Sequence, residues 1–247
     1  MSVAEKLPQN LIEVAEAKSS LHLCYSNPIE TYNINKIKEE LNSSKFRRIQ
    51  LCLKNVFDKS ATAFGIVAIL PILVAIACVI KIDSKGPILF KQKRIGADGK
   101  EFYMYKFRSM LVDAESKLAG LKAFNETNEY MFKMSDDPRV TSIGKFLRKY
   151  SLDEFPQLIN VLKGEMSLVG FRPPLPSEVK NYKSWHYLRF LSTPGLTGPW
   201  QICGHSKIKS FADVVLLEYD YAQNWNLLSD LVILFKTIPV VLFGKEA

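Results

Sequence analysis

Residues Ser151 to Pro174 read SLDEFPQLINVLKGEMSLVGFRPP, and the folding of this stretch decides what the chain can do. Leu152, Phe155, Leu158, Ile159 and Leu162 recur at helical spacing. Gly164 follows where a helix would stop. Two adjacent carboxylates, Asp153 and Glu154, stand at the N-terminal end of that helix. Phe171-Arg172-Pro173-Pro174 is a stiff turn that brings back a guanidinium. Acids beside a fixed cation are equipment for phosphate chemistry, provided further cations converge on them. Two starts fit the helix. Ser151 could cap it, with Glu154 reaching back in a capping box, and acids in a first turn answer the helix dipole in any case. Alternatively Pro156 is the first helical residue, which leaves both acids in the preceding turn, facing a ligand.

Upstream, Ser135-Asp136-Asp137-Pro138-Arg139 marks a turn. Gly144 to Tyr150, GKFLRKY, is a short basic helix that sets Arg148 five residues before Asp153. Residues 111 to about 134 read as a polar helix with its tail in a loop. Further back lies a hairpin signal. Ile88 to Arg94 and Phe102 to Arg108 read as strands around a turn holding Gly96 and Asp98-Gly99. Lys106 and Arg108 alternate with aromatics, so both cations are expected on one face. That face is either a solvated strand surface or a pair of cations delivered to a phosphate.

Before the hairpin, Ala61 to Ile80 is a long uncharged apolar run, ATAFGIVAILPILVAIACVI. Its length suffices to span a bilayer. Pro71 at its middle would kink the helix. Basic residues flank both ends, Lys45, Arg47, Arg48, Lys54 and Lys59 before, Lys81, Lys85, Lys91, Lys93 and Arg94 after. Basic flanks tend to stay cytoplasmic. If both do, the segment enters and returns on one side with its bend at Pro71. Spanning and re-entrant readings both stand at this point.

The 247 residues carry a formal charge of +8 and a pI near 9.2, so a polyanionic partner is expected. Nucleic acid, anionic lipid and a phosphorylated substrate all qualify. Cys24, Cys52, Cys78 and Cys203 form no CxxC pair and read as reduced thiols on the cytoplasmic side. His22, His186 and His205 make no zinc constellation. Residues 1 to 44 are polar, begin no signal peptide and read as a loosely ordered extension ahead of a domain over 45–247.

After Pro174 the chain is aromatic and basic. Tyr182 to Phe190 suits a helix in a membrane interface, and single-stranded nucleic acid would accept it too. Thr193 to Trp200, TPGLTGPW, is a glycine- and proline-rich loop whose amides could approach a ligand, or simply a turn. Leu216 to Tyr221 is a helix fragment with Glu218 and Asp220. Leu227 to Phe243 is apolar but holds Asp230, Lys236 and Pro239, which favours lying at a surface over spanning.

In order, these motifs resemble the monotopic bacterial phosphoglycosyl transferases, the polyprenyl-phosphate sugar-phosphate transferases. The resemblance covers about Lys54 to Phe243. It runs through the apolar segment with its proline, KIDSKGPILFKQKRIG, FYMYKFRSM, DDPRVTSIGKFLRKYSLDEFPQLINVLKGEMSLVGFRPP, PGLTGPWQ and NWNLLSDLVILFKTIPVVL. It implies a mixed, helix-rich α/β fold: one re-entrant helix broken at Pro71, a β-hairpin, and interfacial amphipathic helices around a small catalytic core. It implies a bacterial inner-membrane enzyme with a cytoplasmic catalytic face, starting exopolysaccharide, capsule or O-antigen assembly.

The implied reaction moves a sugar 1-phosphate from a UDP-sugar to undecaprenyl phosphate, with UMP leaving and magnesium required. Asp153 matches the family's nucleophile, which forms a phosphosugar-aspartyl intermediate, and Glu154 the acid that holds the metal. Lys106, Arg108, Arg148 and Arg172 match cations expected to bind the phosphates. His205 stands where the family usually has an arginine, so phosphate binding there would be weak or need protonation. Phe171 replaces the usual proline, which is expected to loosen the turn before Arg172. Thr193 replaces an arginine, and Glu218 an aspartate. A non-catalytic, membrane-tethered basic scaffold binding nucleic acid or anionic lipid is the alternative. It leaves the acid pair beside Arg172 unexplained, so the expectation is no nucleic-acid partner, inner-membrane lipids around the protein, and homo-oligomerisation left open.

Overall fold

The computed structural model describes residues 34–121, 124, 134, 136–203, 208 and 210–243. Most of the N-terminal extension, with His22 and Cys24, lies outside them. The extension's last part is helix α1, Ile34–Leu41, followed by α2, Lys45–Asp83, of 39 residues. Among the described residues α2 is the one helix long and apolar enough to cross a membrane. The break expected at Pro71 is not a break in helical structure. Pro71 lies inside α2, removing one backbone donor while the helix runs on.

The burial of α2 falls into two sectors. Lys54, Asp58 and Thr62, one helical turn apart, are buried at the N-terminal half, and Ile76 and Ile80 at the C-terminal half. Between them Phe64, Val67, Leu70 and Ile72 are exposed. Both buried sectors dock on the same core. Asp58 Oδ2 accepts from Ser167 Oγ at 2.6 Å, and Lys54 Nζ donates to the Val169 carbonyl at 3.1 Å. Ile76 and Ile80 pack with Phe107 and Leu147.

The hairpin forms as expected. Strand β1, Leu89–Ile95, pairs antiparallel with β2, Glu101–Phe107. Asp98 (φ 57°) and Gly99 (φ 73°) turn the chain between them. Helix α3, Ala114–Leu121, follows, and most of the rest of 111–134 lies outside the described residues. Helix α4 is Ser142–Lys149, capped by Thr141, whose side chain accepts from the Gly144 N–H. A 3-10 turn, Leu152–Gln157, then runs into α5, Leu158–Leu162. Gly164 (φ +76°) ends it, with the Glu165 N–H reaching back to the Asn160 carbonyl.

Strand β3, Ser167–Val169, pairs in parallel with β4, Gly195–Thr197. The crossover holds α6, Pro176–Val179, and a 3-10 helix, Ser184–Leu191. Helices α7, Pro199–Ile202, α8, Phe211–Asn224, and α9, Leu227–Phe243, complete the described chain. The glycine-rich loop is thus a strand with a structural demand on its glycines. A Cβ on Gly170 would sit 2.0 Å from the Thr193 carbonyl oxygen, and one on Gly198 would sit 1.9 Å from that of Gly170. The backbones touch where side chains would intervene.

The aromatic-basic stretch is not a membrane-facing or nucleic-acid-facing helix. His186, Leu188, Arg189, Phe190 and Leu191 are buried, and Tyr182 packs on Phe190 and Phe211. His186 and Phe190 are core and Arg189 has an internal partner, while Tyr187 stays exposed. Helix α9 keeps Leu228, Phe235 and Ile238 exposed while burying Asp230 and Ile233. Lys54 and Asp230 form a buried ion pair, to which Tyr221 and Trp225 donate. Among the described residues Cys52, Cys78 and Cys203 form no disulfide.

Candidate active site

Ser151 sets the direction of the acid pair. It adopts the left-handed conformation (φ 57°, ψ 18°), so the chain turns sharply between α4 and the following 3-10 turn. Helical structure begins at Leu152, not at Pro156. The capping box is not made: Ser151 contributes no side-chain cap, and its buried hydroxyl has no partner. Glu154 reaches across to the hairpin instead, its Oε1 lying 3.1 Å from Lys106 Nζ. Pro156 falls within the tighter 3-10 segment.

Asn160 locks this geometry. Its side chain is fully buried, accepting from the Tyr105 N–H at 3.0 Å and donating to the Tyr103 carbonyl at 2.7 Å. This pins α5 against β2 one residue before Lys106. Phe102 and Met104, on the Lys106 face of the strand, pack on Val161 and Met166. Leu152 and Phe155 pack against the Ile76–Ile80–Phe107–Leu147 cluster, while Ile159 and Leu162 remain exposed.

Lys106, Glu154, Arg172 and Arg94 line one pocket with Gln157 and Gln201. The Lys106 and Glu154 side chains are each 18% exposed, so the pair can be reached by a ligand. Burial pulls the Lys106 ammonium below the ordinary lysine range; Arg172 and Arg94 push the same way, and Glu154 and Asp153 oppose. Arg94 is brought down to about 10, chiefly by burial and then by the Arg172 charge. These cations are crowded and short of counter-charge, a condition that an anionic ligand relieves.

Asp153 is buried at the start of the turn. Arg148 is partly desolvated, which lowers its pKa, and Asp153 followed by Asp137 acts against that loss. Arg148 Nε also donates to Ser109 Oγ at 2.9 Å. The acid pair is therefore within electrostatic reach of both Arg148 and Lys106.

The Arg172 turn is held at every backbone polar group. The Arg172 N–H donates to Glu218 Oε1 at 3.2 Å, and its carbonyl accepts from Arg189 Nη2 at 3.1 Å. The Pro173 carbonyl accepts from Arg94 Nη1 at 2.9 Å, and the Pro174 carbonyl from the Ile95 N–H at 2.9 Å. Pro173 and Pro174 have no N–H to satisfy. The loosening expected from Phe171 does not occur. Its side chain is fully buried, edge-on to Phe190 at 5.4 Å, and its carbonyl accepts from the Gly195 N–H. The Arg172 guanidinium lies over the Trp200 ring at 5.7 Å.

Arg108 is not brought into this group. It follows the end of β2, and its Nη2 donates to the Ser84 carbonyl at 2.6 Å, the Ser84 hydroxyl at 2.9 Å and the Ile80 carbonyl at 3.3 Å. It caps the C-terminal end of α2, where a cation also answers the helix dipole. His205 lies outside the described residues. Reading the sequence missed Arg94, Asn160, Arg189 and Gln201. Arg94 had a usable signal, since it stands near the end of a strand, two residues before Gly96; Asn160 sits in an apolar run that gives none.

Among the described residues no three His, Cys, Asp or Glu side chains converge as a metal cluster. Asp153 and Glu154 nevertheless offer hard oxygen donors, and magnesium commonly takes one or two carboxylates with the remaining positions filled by substrate and water. The residues fit that pattern, with Lys106 sharing Glu154.

The carboxylate pair and the cations near it are carried in a chain with one long apolar helix. The profile of the bacterial sugar transferases matches residues 49–244, and the chain belongs to that family. The family and α2 are consistent with membrane association. The chain is 49% identical over 162 residues to the galactosyl transferase CpsE of Streptococcus agalactiae serotype III, covering 66% of this chain and 36% of that protein. It is 40% identical over 199 residues to the exopolysaccharide production protein ExoY of Sinorhizobium fredii, covering 78% and 86%. It is 38% identical over 200 residues to the undecaprenyl-phosphate galactose phosphotransferase of Salmonella typhimurium, covering 79% and 42%. The chain thus spans less than half of two of these relatives and most of ExoY.

Proposed function

We propose that this protein transfers a sugar 1-phosphate from a UDP-sugar to undecaprenyl phosphate at the cytoplasmic face of the bacterial inner membrane. The observation that carries the reading is the pocket itself: Glu154 and Lys106 facing each other beside Arg94 and Arg172, with Asp153 next in the chain. The names of the relatives, a galactosyl transferase and an undecaprenyl-phosphate galactose phosphotransferase among them, supply the substrate class.

Asp153 attacks the donor's β-phosphorus. A new carboxylate–phosphorus bond forms as the bond to the bridging oxygen breaks, and UMP departs with that oxygen. Undecaprenyl phosphate then attacks the same phosphorus through a phosphate oxygen, breaking the acyl-phosphate bond and restoring the Asp153 carboxylate. Lys106, Arg94 and Arg172 offset the charge of the diphosphate, with the guanidinium of Arg172 suited to two oxygens at once. Arg148 sets a positive charge within electrostatic reach of Asp153. Magnesium, held by Glu154 and the donor's own oxygens, would reduce the repulsion between the diphosphate and the nucleophile.

The two docked sectors of α2 support a re-entrant placement. From Asp58 to Ile76 a straight helix would run about 27 Å, close to the thickness of a hydrocarbon core. A spanning helix would carry these residues to opposite sides of the membrane, yet both pack on one catalytic core. The exposed apolar residues between them, with those of α9, would face lipid.

A nucleotide-sugar panel with polyprenyl phosphate and magnesium, scored by UMP release, tests the reaction. Transfer from one UDP-sugar that Asp153→Asn abolishes is the expected result; salt-sensitive DNA binding without UMP release from any donor would replace this reading with the scaffold.

A further inference from the structure

We infer that Arg189 and Glu218 are positioning residues for Arg172, a buried ion pair whose task is to hold the backbone of the phosphate-binding arginine. The inference rests on the phosphate-handling reading of the pocket. Both side chains are closed to solvent, Arg189 at 3% and Glu218 at 1% exposure. Glu218 Oε2 accepts from Arg189 Nε at 2.7 Å, and Glu218 Oε1 from Arg189 Nη2 at 3.0 Å. Arg189 Nη1 donates to the Tyr182 hydroxyl, and its guanidinium lies among the Phe171, Tyr182 and Phe211 rings. All three guanidinium nitrogens are engaged inside the protein, so Arg189 has no role at the substrate.

What the pair does have is both ends of one residue. Glu218 Oε1 takes the Arg172 N–H, and Arg189 Nη2 takes the Arg172 carbonyl. Arg172 carries the one N–H in Arg172-Pro173-Pro174, so Glu218 is the sole acceptor through which that turn is fixed at its entry. Burying two charges is costly and an apolar pair would often be as stable. A charged pair is useful here because each partner has a hydrogen bond to spare, one donor and one acceptor, and the Arg172 peptide groups need one of each. Arg189 and Glu218 are 29 residues apart in the chain and stand on separate elements, the 3-10 helix and α8. The clamp therefore joins three parts of the chain around Arg172.

The test is a cycle of variants read by UDP binding, which needs no turnover. Arg189→Leu/Glu218→Leu removes both charges together, so neither is stranded, while the Arg172 peptide groups lose their partners and the melting temperature is expected to fall without loss of the fold. It should weaken UDP binding about tenfold, as should Arg172→Ala. Combined in one chain, the three substitutions should bind UDP no worse than Arg172→Ala alone, because the pair acts through Arg172. Losses that multiply, or a folded pair variant with parental UDP affinity, would overturn the inference. So would an Arg172→Ala variant that binds UDP as the parent does. Should the leucine pair fail to fold, Arg189→Gln/Glu218→Gln carries the same comparison. A parent that binds UDP through Arg172 yet transfers no sugar phosphate would remove the transferase reading and leave the clamp standing.

Discussion

Lys106 Nζ stands 3.1 Å from Glu154 Oε1, and this contact ties the hairpin to the helical turn that carries both acids. Burial lowers the Lys106 pKa from the ordinary 10.5. If the ammonium is needed for donor binding, kcat/KM falls on the alkaline side at a pH below 10.5. Lys106→Arg should carry that limb to higher pH, since arginine stays charged above about pH 12. The shift also sets the sign for stability. The folded state binds this proton less tightly than the unfolded state, so the charge weakens the fold at neutral pH and the loss disappears as pH rises through the folded pKa. An alkaline limb that Lys106→Arg leaves in place would contradict the assignment.

Arg108 is predicted to act on the fold. Arg108→Met takes the arginine donor from the Ser84 carbonyl, leaves the Ile80 carbonyl with the Ser84 N–H alone, and should cost about 1–3 kcal/mol. Thermal denaturation should register that cost while the KM for the donor stays unchanged. A raised KM at an unchanged melting temperature would return Arg108 to the phosphate site.

Gly170→Ala should be severely destabilising, by at least about 3 kcal/mol. The added carbon would meet the Thr193 carbonyl oxygen at 2.0 Å, and a backbone atom cannot move aside. Separation of β3 from β4 would release Phe171 and Arg172 with it. Gly120→Ala in α3, where nothing lies within 4 Å, is the control and should be neutral or stabilising by up to about 1 kcal/mol. Equal melting temperatures for the two variants would show that the close approach does not exist.

Single cysteines placed at Lys59 and Lys85, on either side of Pro71, report the course of α2 in the membrane. The account predicts that both are labelled from the cytoplasmic side by an impermeant reagent. Labelling of the first from the periplasmic side would mean a spanning helix.

Local signals were legible where chemistry is local. The hairpin followed from Asp98-Gly99, the end of α5 from Gly164, and the limits of α9 from its apolar run. Asp153, Glu154, Lys106, Arg148 and Arg172 were singled out from residue type and order, and the structure gathers them. The misreadings concern partners distant in sequence. Arg108 looks like Lys106 along the strand, but its partner Ser84 ends α2. The stretch from Tyr182 to Phe190 has an interfacial composition, but Glu218 on α8 neutralises its arginine and turns it into core. Glycines 195 and 198 read as turn residues because a parallel pairing between β3 and β4 leaves no local mark. The Ser151 cap failed for another reason: Lys106, also distant, competes for the Glu154 side chain.

The central claim is that Asp153 becomes covalently bonded to the donor's sugar phosphate. The direct measurement is mass spectrometry of the intact protein and its peptides after incubation with the UDP-sugar and magnesium, without undecaprenyl phosphate. The account predicts a phosphosugar adduct on Asp153 that disappears when the lipid acceptor is added, and none on Asp153→Asn. Product accumulating while Asp153 stays unmodified, or from Asp153→Asn at the parental rate, would contradict it.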